Sequence, residues 1–364
     1  MEAAASYRSP DLLPAAVQQR TSRHVYWLVF AVVFVTEWIA GYYVSHHIGY
    51  VHTDAMSRVA NAFYVLYSGD PHLGAIGFVW NPLPSLVEIA FLAFYPLFPA
   101  LASSGLAGVF MSSLFAGCTA ALLVQAGDSH GVSRSASVAI SLLFAFNPFM
   151  FLFGMNGLSD APFIFFTMYS VVHLTYWFKD RNVGSLLKLS LALAMAFWTR
   201  YEAVPFGIGL GLAVILALLF RGKRPGAGRT GFRNKYEQIE SVMTLVWSPI
   251  IYSGLLWILL NYLIMGNPFY FLNSEYSNVE QSAMLAADQQ FMHLIGHPFN
   301  SLLFVLKKMA FFSIPLVGVV LLRYHQPQGP SMGACRRCIG GSARSGRRLY
   351  FKPEAQYQLR FKRR

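Results

Sequence analysis

An all-α, polytopic transmembrane helical bundle of about eight to nine spans, with a large first extracytoplasmic loop, is the fold class this sequence predicts. Three observations predict it. Hydrophobic residues make up 55% of the chain and charged residues only 12%, about half the charged share of an ordinary soluble domain. Apolar runs long enough to cross a hydrocarbon core of about 30 Å recur along the chain. Those runs are continuous rather than alternating, which excludes the strand period of an outer-membrane barrel.

The spans fall near 25–44, 84–101, 105–126, 136–154, 162–178, 185–199, 204–220, 242–264 and 302–322. Residues 1–24 are polar or mixed and form a cytoplasmic N-terminal segment; no small-residue cleavage site follows the first run, so that run reads as an uncleaved signal anchor. Cytoplasmic loops hold an excess of Lys and Arg. Residues 221–241 hold six (Arg221, Lys223, Arg224, Arg229, Arg233, Lys235), whereas residues 265–300 hold none and carry Glu275, Glu280 and Asp288. The first loop is therefore expected inside and the second outside. Arg8, Arg20 and Arg23 put the N-terminus inside, and Lys179 with Arg181 does the same for the 179–184 turn. An even number of crossings must separate those two anchors, yet five candidate segments do. The weakest is 84–101, with Pro84, Pro96, Pro99 and Glu88, because a helix-interior proline frees a backbone group that lipid cannot satisfy. Residues 78–101 are expected to form a re-entrant or interfacial element, which leaves eight full crossings. Residues 45–104, 155–161, 200–203 and 265–300 then lie on the outer face.

Net charge is +12, but residues 323–364 alone hold eleven Lys/Arg and one acid. A basic, disordered cytoplasmic tail of that kind finds a sufficient partner in anionic membrane lipid, and nucleic-acid binding is excluded on the same distribution. Cys118 lies in an apolar run and reads as a small core residue. Cys335 and Cys338 form one CxxC pair, half of what a closed zinc site needs. There is no P-loop, dinucleotide glycine fingerprint, HExxH or GxSxG, which removes sequence support for nucleotide-driven and zinc-protease chemistry.

The unusual polar residues collect on the outer face. The first outer loop runs His46-His47-Ile-Gly-Tyr50-Val-His52-Thr53-Asp54-Ala-Met-Ser57-Arg58. Asp54 has two readings: a general base held against an acceptor hydroxyl, or the cap of a helix over about 55–68, paired to Arg58 at i,i+4. Gly69-Asp70-Pro71-His72 and Trp80-Asn81-Pro82-Leu83-Pro84 are turn chemistry. Ser159 or Asp160 suits the N-cap of the next span, with Pro162 in its first turn, and a second acid at the membrane edge is also a functional candidate. Arg200 and Glu202 form either a surface ion pair or, through Arg200, a phosphate clamp. Gly266 to Tyr276 is rich in rings that suit the headgroup zone.

In this order the features resemble the C-type polytopic glycosyltransferases, in particular the protein-mannosyltransferase and aminoarabinose-transferase branch. The likeness covers residues 25–322. His52-Thr53-Asp54-Ala55 matches the early catalytic aspartate of the first outer loop, Trp80 to Pro84 the proline-bearing segment after it, Ser159-Asp160-Ala-Pro162 the second acidic turn and Arg200-Tyr201-Glu202 the later Arg-Tyr-Glu element. The resemblance implies inverting transfer of a sugar from a polyprenyl-phosphate donor to a lipid, glycan or protein acceptor on the extracytoplasmic face of a prokaryotic plasma membrane. Asp54 would be the base and Asp160 the group that orients acceptor or sugar. Arg58, His72 and Arg200 would bind the donor phosphate, and His52, Glu202, Glu275 and Tyr276 the substrates. No cofactor is implied; a divalent metal is not supported, since no DxD-type pair stands beside Asp54. Family members continue into further spans or an outer domain, whereas Gln326 onward is Gly/Arg/Cys-rich and lacks core periodicity. The expectation is a C-terminally truncated chain. A carrier or flippase, or an inactive truncated scaffold, is the alternative.

Overall fold

The computed structural model describes residues 15–219, 232–277 and 291–312. The N-terminal residues 1–14, most of the basic loop at 221–231, Glu280, Asp288, the last expected span beyond Phe312 and the tail with Cys335 and Cys338 lie outside the described residues. The chain divides into two units, Met1–Met284 and Leu285–Arg364.

All regular structure among the described residues is helical. In the first unit α1 (Ala15–Tyr42) ends in a π-helical turn, Tyr43–His47. The short α2 (Thr53–Tyr67), α3 (Leu83–Leu92) and α4 (Ala100–Ser103) follow. Next come α5 (Leu106–Ser129), α6 (Arg134–Ala145), α7 (Pro148–Met155), α8 (Asp160–Asp180), α9 (Val183–Thr199), α10 (Ala203–Leu219), α11 (Phe232–Met265) and α12 (Tyr270–Asn273). The second unit contributes α13 (Pro298–Phe312).

Among the described residues three helices are long and apolar enough to cross a membrane: Arg23–His47, Leu106–Ser129 and Tyr236–Met265. Their lengths, and the lateral faces around them, mark a membrane protein. On α9 Val183, Leu187, Leu191 and Met195 are exposed, and on α10 Val204, Ile208, Leu212 and Leu216. Residues four apart share one face of a helix, so each helix turns a continuous apolar stripe outward, which suits hydrocarbon and not water. α9 and α10 have 17 residues each, about 25 Å of rise. α8 is long enough at 21 residues, but Thr167, Tyr169, Ser170, His173 and Thr175 dilute its hydropathy.

Two of the nine candidate segments are not single straight helices, one of them expected as a full crossing and the other, 84–101, expected as a re-entrant or interfacial element. The segment read as one span over 136–154 is two helices, α6 and α7, bent by 69°. Asn147 caps α7, accepting from the Phe149 backbone N–H at 3.1 Å, and Pro148 occupies its first position; a proline there cannot continue the preceding ladder. Over 84–101 the α-helix of α3 is only ten residues, a rise of about 15 Å. Turns over 93–97 and the Pro99 that precedes α4 end it.

α1 packs on α5 and α7, α5 also on α6 and α8, α8 on α9, and α9 on α11. Apolar burial gives little net drive between helices in lipid, so close backbone approach and buried polar contacts matter more. Two glycines show this. A Cβ at Gly154 of α7 would collide with the Glu37 carboxylate of α1. Gly157 has φ +75° and its Cα lies against Gly108 of α5, where an added Cβ would come within 3.1 Å of the backbone. The Ser112 hydroxyl ties the same loop to α5, donating to Gly154 O at 2.7 Å and accepting from Gly157 N–H at 3.1 Å.

The bundle has two polar ends. At one, Tyr26 donates to Asp128 (3.0 Å), Arg134 pairs with Asp128 (3.5 Å) and Lys179 donates to Ser129 O (3.0 Å). At the other, the N-termini of α2 and α8 meet the α9–α10 junction.

Candidate functional site

That second end is held by polar bonds between segments far apart in sequence. His52 is the N-cap of α2, its Nδ1 accepting from the Asp54 backbone N–H at 3.2 Å. Asp54 therefore does not cap the helix, contrary to one of its two readings; it sits in the first turn and lines the cleft. Nor is it ion-paired to Arg58. The Arg58 guanidinium is buried, donates to Asn81 O at 3.2 Å and lies 5.1 Å from the centre of the Trp80 ring. Asn81 in turn donates through Nδ2 to Phe197 O at the end of α9, at 2.5 Å. Tyr201 Oη donates to Val79 O (3.0 Å) and accepts from Trp257 Nε1 (3.0 Å). Phe78 stacks on the buried Trp257 ring at 5.2 Å. The 77–82 loop is thus clamped between α2 and the α9–α10 junction.

Ser159 is at the N-cap position of α8, but its side chain makes no capping bond. Asp160, the first residue of α8, instead sends its carboxylate to Arg200, at 3.0 Å, and Arg200 also donates to Glu202 at 2.7 Å. One guanidinium bridges two acids. Burial raises the Asp160 carboxyl above its ordinary value in spite of Arg200, while the hydrogen bond from Arg200 holds Glu202 below the ordinary value. Asp160 and Glu202, bridged by one guanidinium, are therefore shifted in opposite directions by their surroundings. Burial lowers the Arg58 guanidinium from its ordinary value, opposed chiefly by Glu88 of α3.

His52, Asp54, Arg58, Asp160, Arg200 and Glu202 line a single cleft of about 350 Å³, together with Trp80, Asn81, Leu158, Ser159, Thr199 and Tyr201. Its size lies at the lower end of small-ligand sites. Six of the nine residues singled out in sequence thus converge. The other three do not line it. His72 is exposed and its Nδ1 is 2.6 Å from the Asp70 carbonyl oxygen; Glu275 is exposed; Tyr276 lines an adjoining cleft.

Trp80 and Asn81 read in sequence as turn residues and Tyr201 only as the middle of the Arg200-Tyr201-Glu202 element, and the fold brings all three to the cleft. Glu88, read in sequence only as a mark against a span, is fully buried, with neither carboxyl oxygen hydrogen-bonded among the described residues. Its signal was present, since an acid in an apolar segment is a functional candidate.

No family model, no curated protein and no solved structure matches this chain.

Proposed function

We propose that the chain is a membrane glycosyltransferase that moves a sugar, with inversion, from a polyprenyl-phosphate donor to an acceptor hydroxyl at the extracytoplasmic face. The observation that carries this reading is the convergence of two guanidinium groups and three carboxylates, drawn from three separate chain segments, in one cleft at one end of an apolar bundle. Asp54 removes the acceptor proton as the oxygen attacks the anomeric carbon. The bond from that carbon to the phosphate oxygen breaks, and its electron pair leaves on the lipid phosphate. Arg200 and Arg58 stabilise the charge developing there. Asp160, raised by burial, is positioned to orient a sugar or acceptor hydroxyl. The driving free energy for transfer resides in the donor's glycosyl phosphate ester, so no nucleotide site is required.

The same reading takes α3 and α4 as a re-entrant element beside eight crossings, with both termini cytoplasmic. A topology reporter fused after residue 103 is expected to read extracytoplasmic; a cytoplasmic readout overturns the arrangement. The activity is tested by transfer of radiolabelled sugar from polyprenyl-phosphate donors in membranes carrying the wild type or Asp54→Asn. A loss of about 10²–10⁴-fold at equal expression is expected for a missing general base, and unchanged transfer sinks the mechanism.

A carrier or flippase is the second reading. It is favoured by Glu37, fully buried in α1 against the bent α6–α7 pair and without a hydrogen-bond partner among the described residues, since broken helices and intramembrane ionisable groups are transporter features. A carrier moves intact solute or lipid across proteoliposomes and loses that movement in Glu37→Gln, without covalent transfer.

A further inference from the structure

Beside the charged cleft lies a second one, of about 390 Å³, walled by Ser57 and Asn61 of α2, by Phe78 and Trp80 of the 77–82 loop, and by Tyr270 and Tyr276. Trp80 belongs to both clefts and forms the partition between them. The helical period places Asn61 on nearly the same stripe of α2 as Asp54, with Ser57 one turn from Asp54. Gly77 brings the loop against the Asn61 amide: at φ +78° an added Cβ would stand 2.9 Å from Nδ2. The Ser57 hydroxyl proton is committed to Thr53 O at 2.9 Å, which leaves its oxygen as an acceptor.

The two clefts differ in kind. Among the described residues no charged side chain lines the second one, whereas two guanidinium groups line the first. The second is also unlike the groove lined by Trp38, Tyr42, Phe91, Phe94 and Phe110, whose walls are almost wholly apolar and suit a hydrocarbon chain. Aromatic faces combined with neutral hydroxyl and amide groups suit a ligand that presents apolar C–H faces and many hydroxyls, each of which needs a hydrogen-bond partner once desolvated.

We infer that this second cleft binds a neutral saccharide unit, the sugar end of the acceptor, and presents its hydroxyl to Asp54 from the Ser57 side. The binding claim stands on the cleft itself; the acceptor role rests on the transferase reading.

The test uses the full chain in lipid nanodiscs, titrated by intrinsic tryptophan fluorescence with a panel of methyl hexopyranosides and, separately, with a polyprenyl phosphate. At least one glycoside is expected to give a saturable change, weakened about tenfold or more in Tyr276→Ala and in Asn61→Leu, the loss of roughly one aromatic or polar contact. Polyprenyl-phosphate binding is expected to stay within about twofold of wild type in both variants. Tyr276 is 70% exposed, so its removal leaves the fold intact. Saturation by none of the glycosides, or equal affinity in wild type and both variants, overturns the assignment. Binding without any transfer of labelled sugar refutes the transferase reading and leaves the cleft standing. Transfer whose acceptor KM is unchanged in both variants overturns the acceptor role and leaves the transferase reading standing.

Discussion

Replacing Arg200 with Met should separate the structural from the chemical contribution of the guanidinium that bridges Asp160 and Glu202. A charge-assisted hydrogen bond contributes about 1.5–3 kcal/mol when desolvated but about 0–1 kcal/mol at a wet surface. Asp160 and Arg200 side chains are 23% and 29% exposed, and Glu202 is 56% exposed. The Asp160 contact therefore falls near the bottom of the desolvated range and the Glu202 contact in the surface range, so Arg200→Met should cost about 2 kcal/mol of stability. That loss leaves most of the protein folded. Transfer should fall much further, about 10²–10³-fold, as expected when a donor aimed at developing charge is removed. Arg200→Lys should lie between, because a point charge cannot bridge two carboxylates as a planar fork does. Thermal unfolding in nanodiscs and radiolabel transfer on the same preparation provide both numbers. A cycle with Asp160→Asn should give a coupling energy of about 1–2 kcal/mol. A transfer rate that falls only in proportion to the unfolded fraction, or a cycle that is additive, refutes the assignment of Arg200 to the departing phosphate.

Loss of the α2 cap in His52→Ala should cost about 1 kcal/mol, read as a lower Tm, whereas Asp54→Asn should leave Tm nearly unchanged because Asp54 caps nothing. The two acids should give opposite pH dependences. Asp160 has a folded pKa above its unfolded one, so its contribution is fully present below the unfolded value and is lost as pH rises through the folded value. Glu202 has a depressed folded pKa, so its contribution is present above the unfolded value and is lost as pH falls through the folded value. Thermal unfolding across the acid range should accordingly show Asp160→Asn gaining on wild type as pH rises, and Glu202→Gln losing its disadvantage as pH falls. Gly154→Ala should lower Tm by forcing a methyl into the Glu37 carboxylate, and Glu37→Ala in the same chain should restore much of the loss; no rescue would mean the two helices do not meet there.

Much of the candidate site is legible in the sequence. Acids and cations are costly at a membrane edge, so Asp54, Asp160, Arg200 and Glu202 stood out against an apolar background, and they do share a cleft. The capping role was harder to assign. His52 and Asp54 both precede or open a helical run, and only the backbone shows that His52 accepts the capping bond. His72 and Glu275 carried as much signal as the residues that converge, because residue type and loop position do not encode where a loop folds back. Asn81 carried little, yet its two bonds join α2 to α9.

By itself the sequence determined that the chain is helical, that apolar helices of span length are present, and which side chains are expensive enough to matter. Those properties follow from composition and from the 3.6-residue period, both local. Tertiary structure alone decided that 136–154 bends into two helices, that Trp80 divides a charged cleft from a neutral one, and that Arg200 reaches Asp160 and Glu202 together. Each of these depends on contacts between segments far apart in the chain, and close packing between helices, where Gly154 meets Glu37 and Gly157 meets Gly108, sets which of them form.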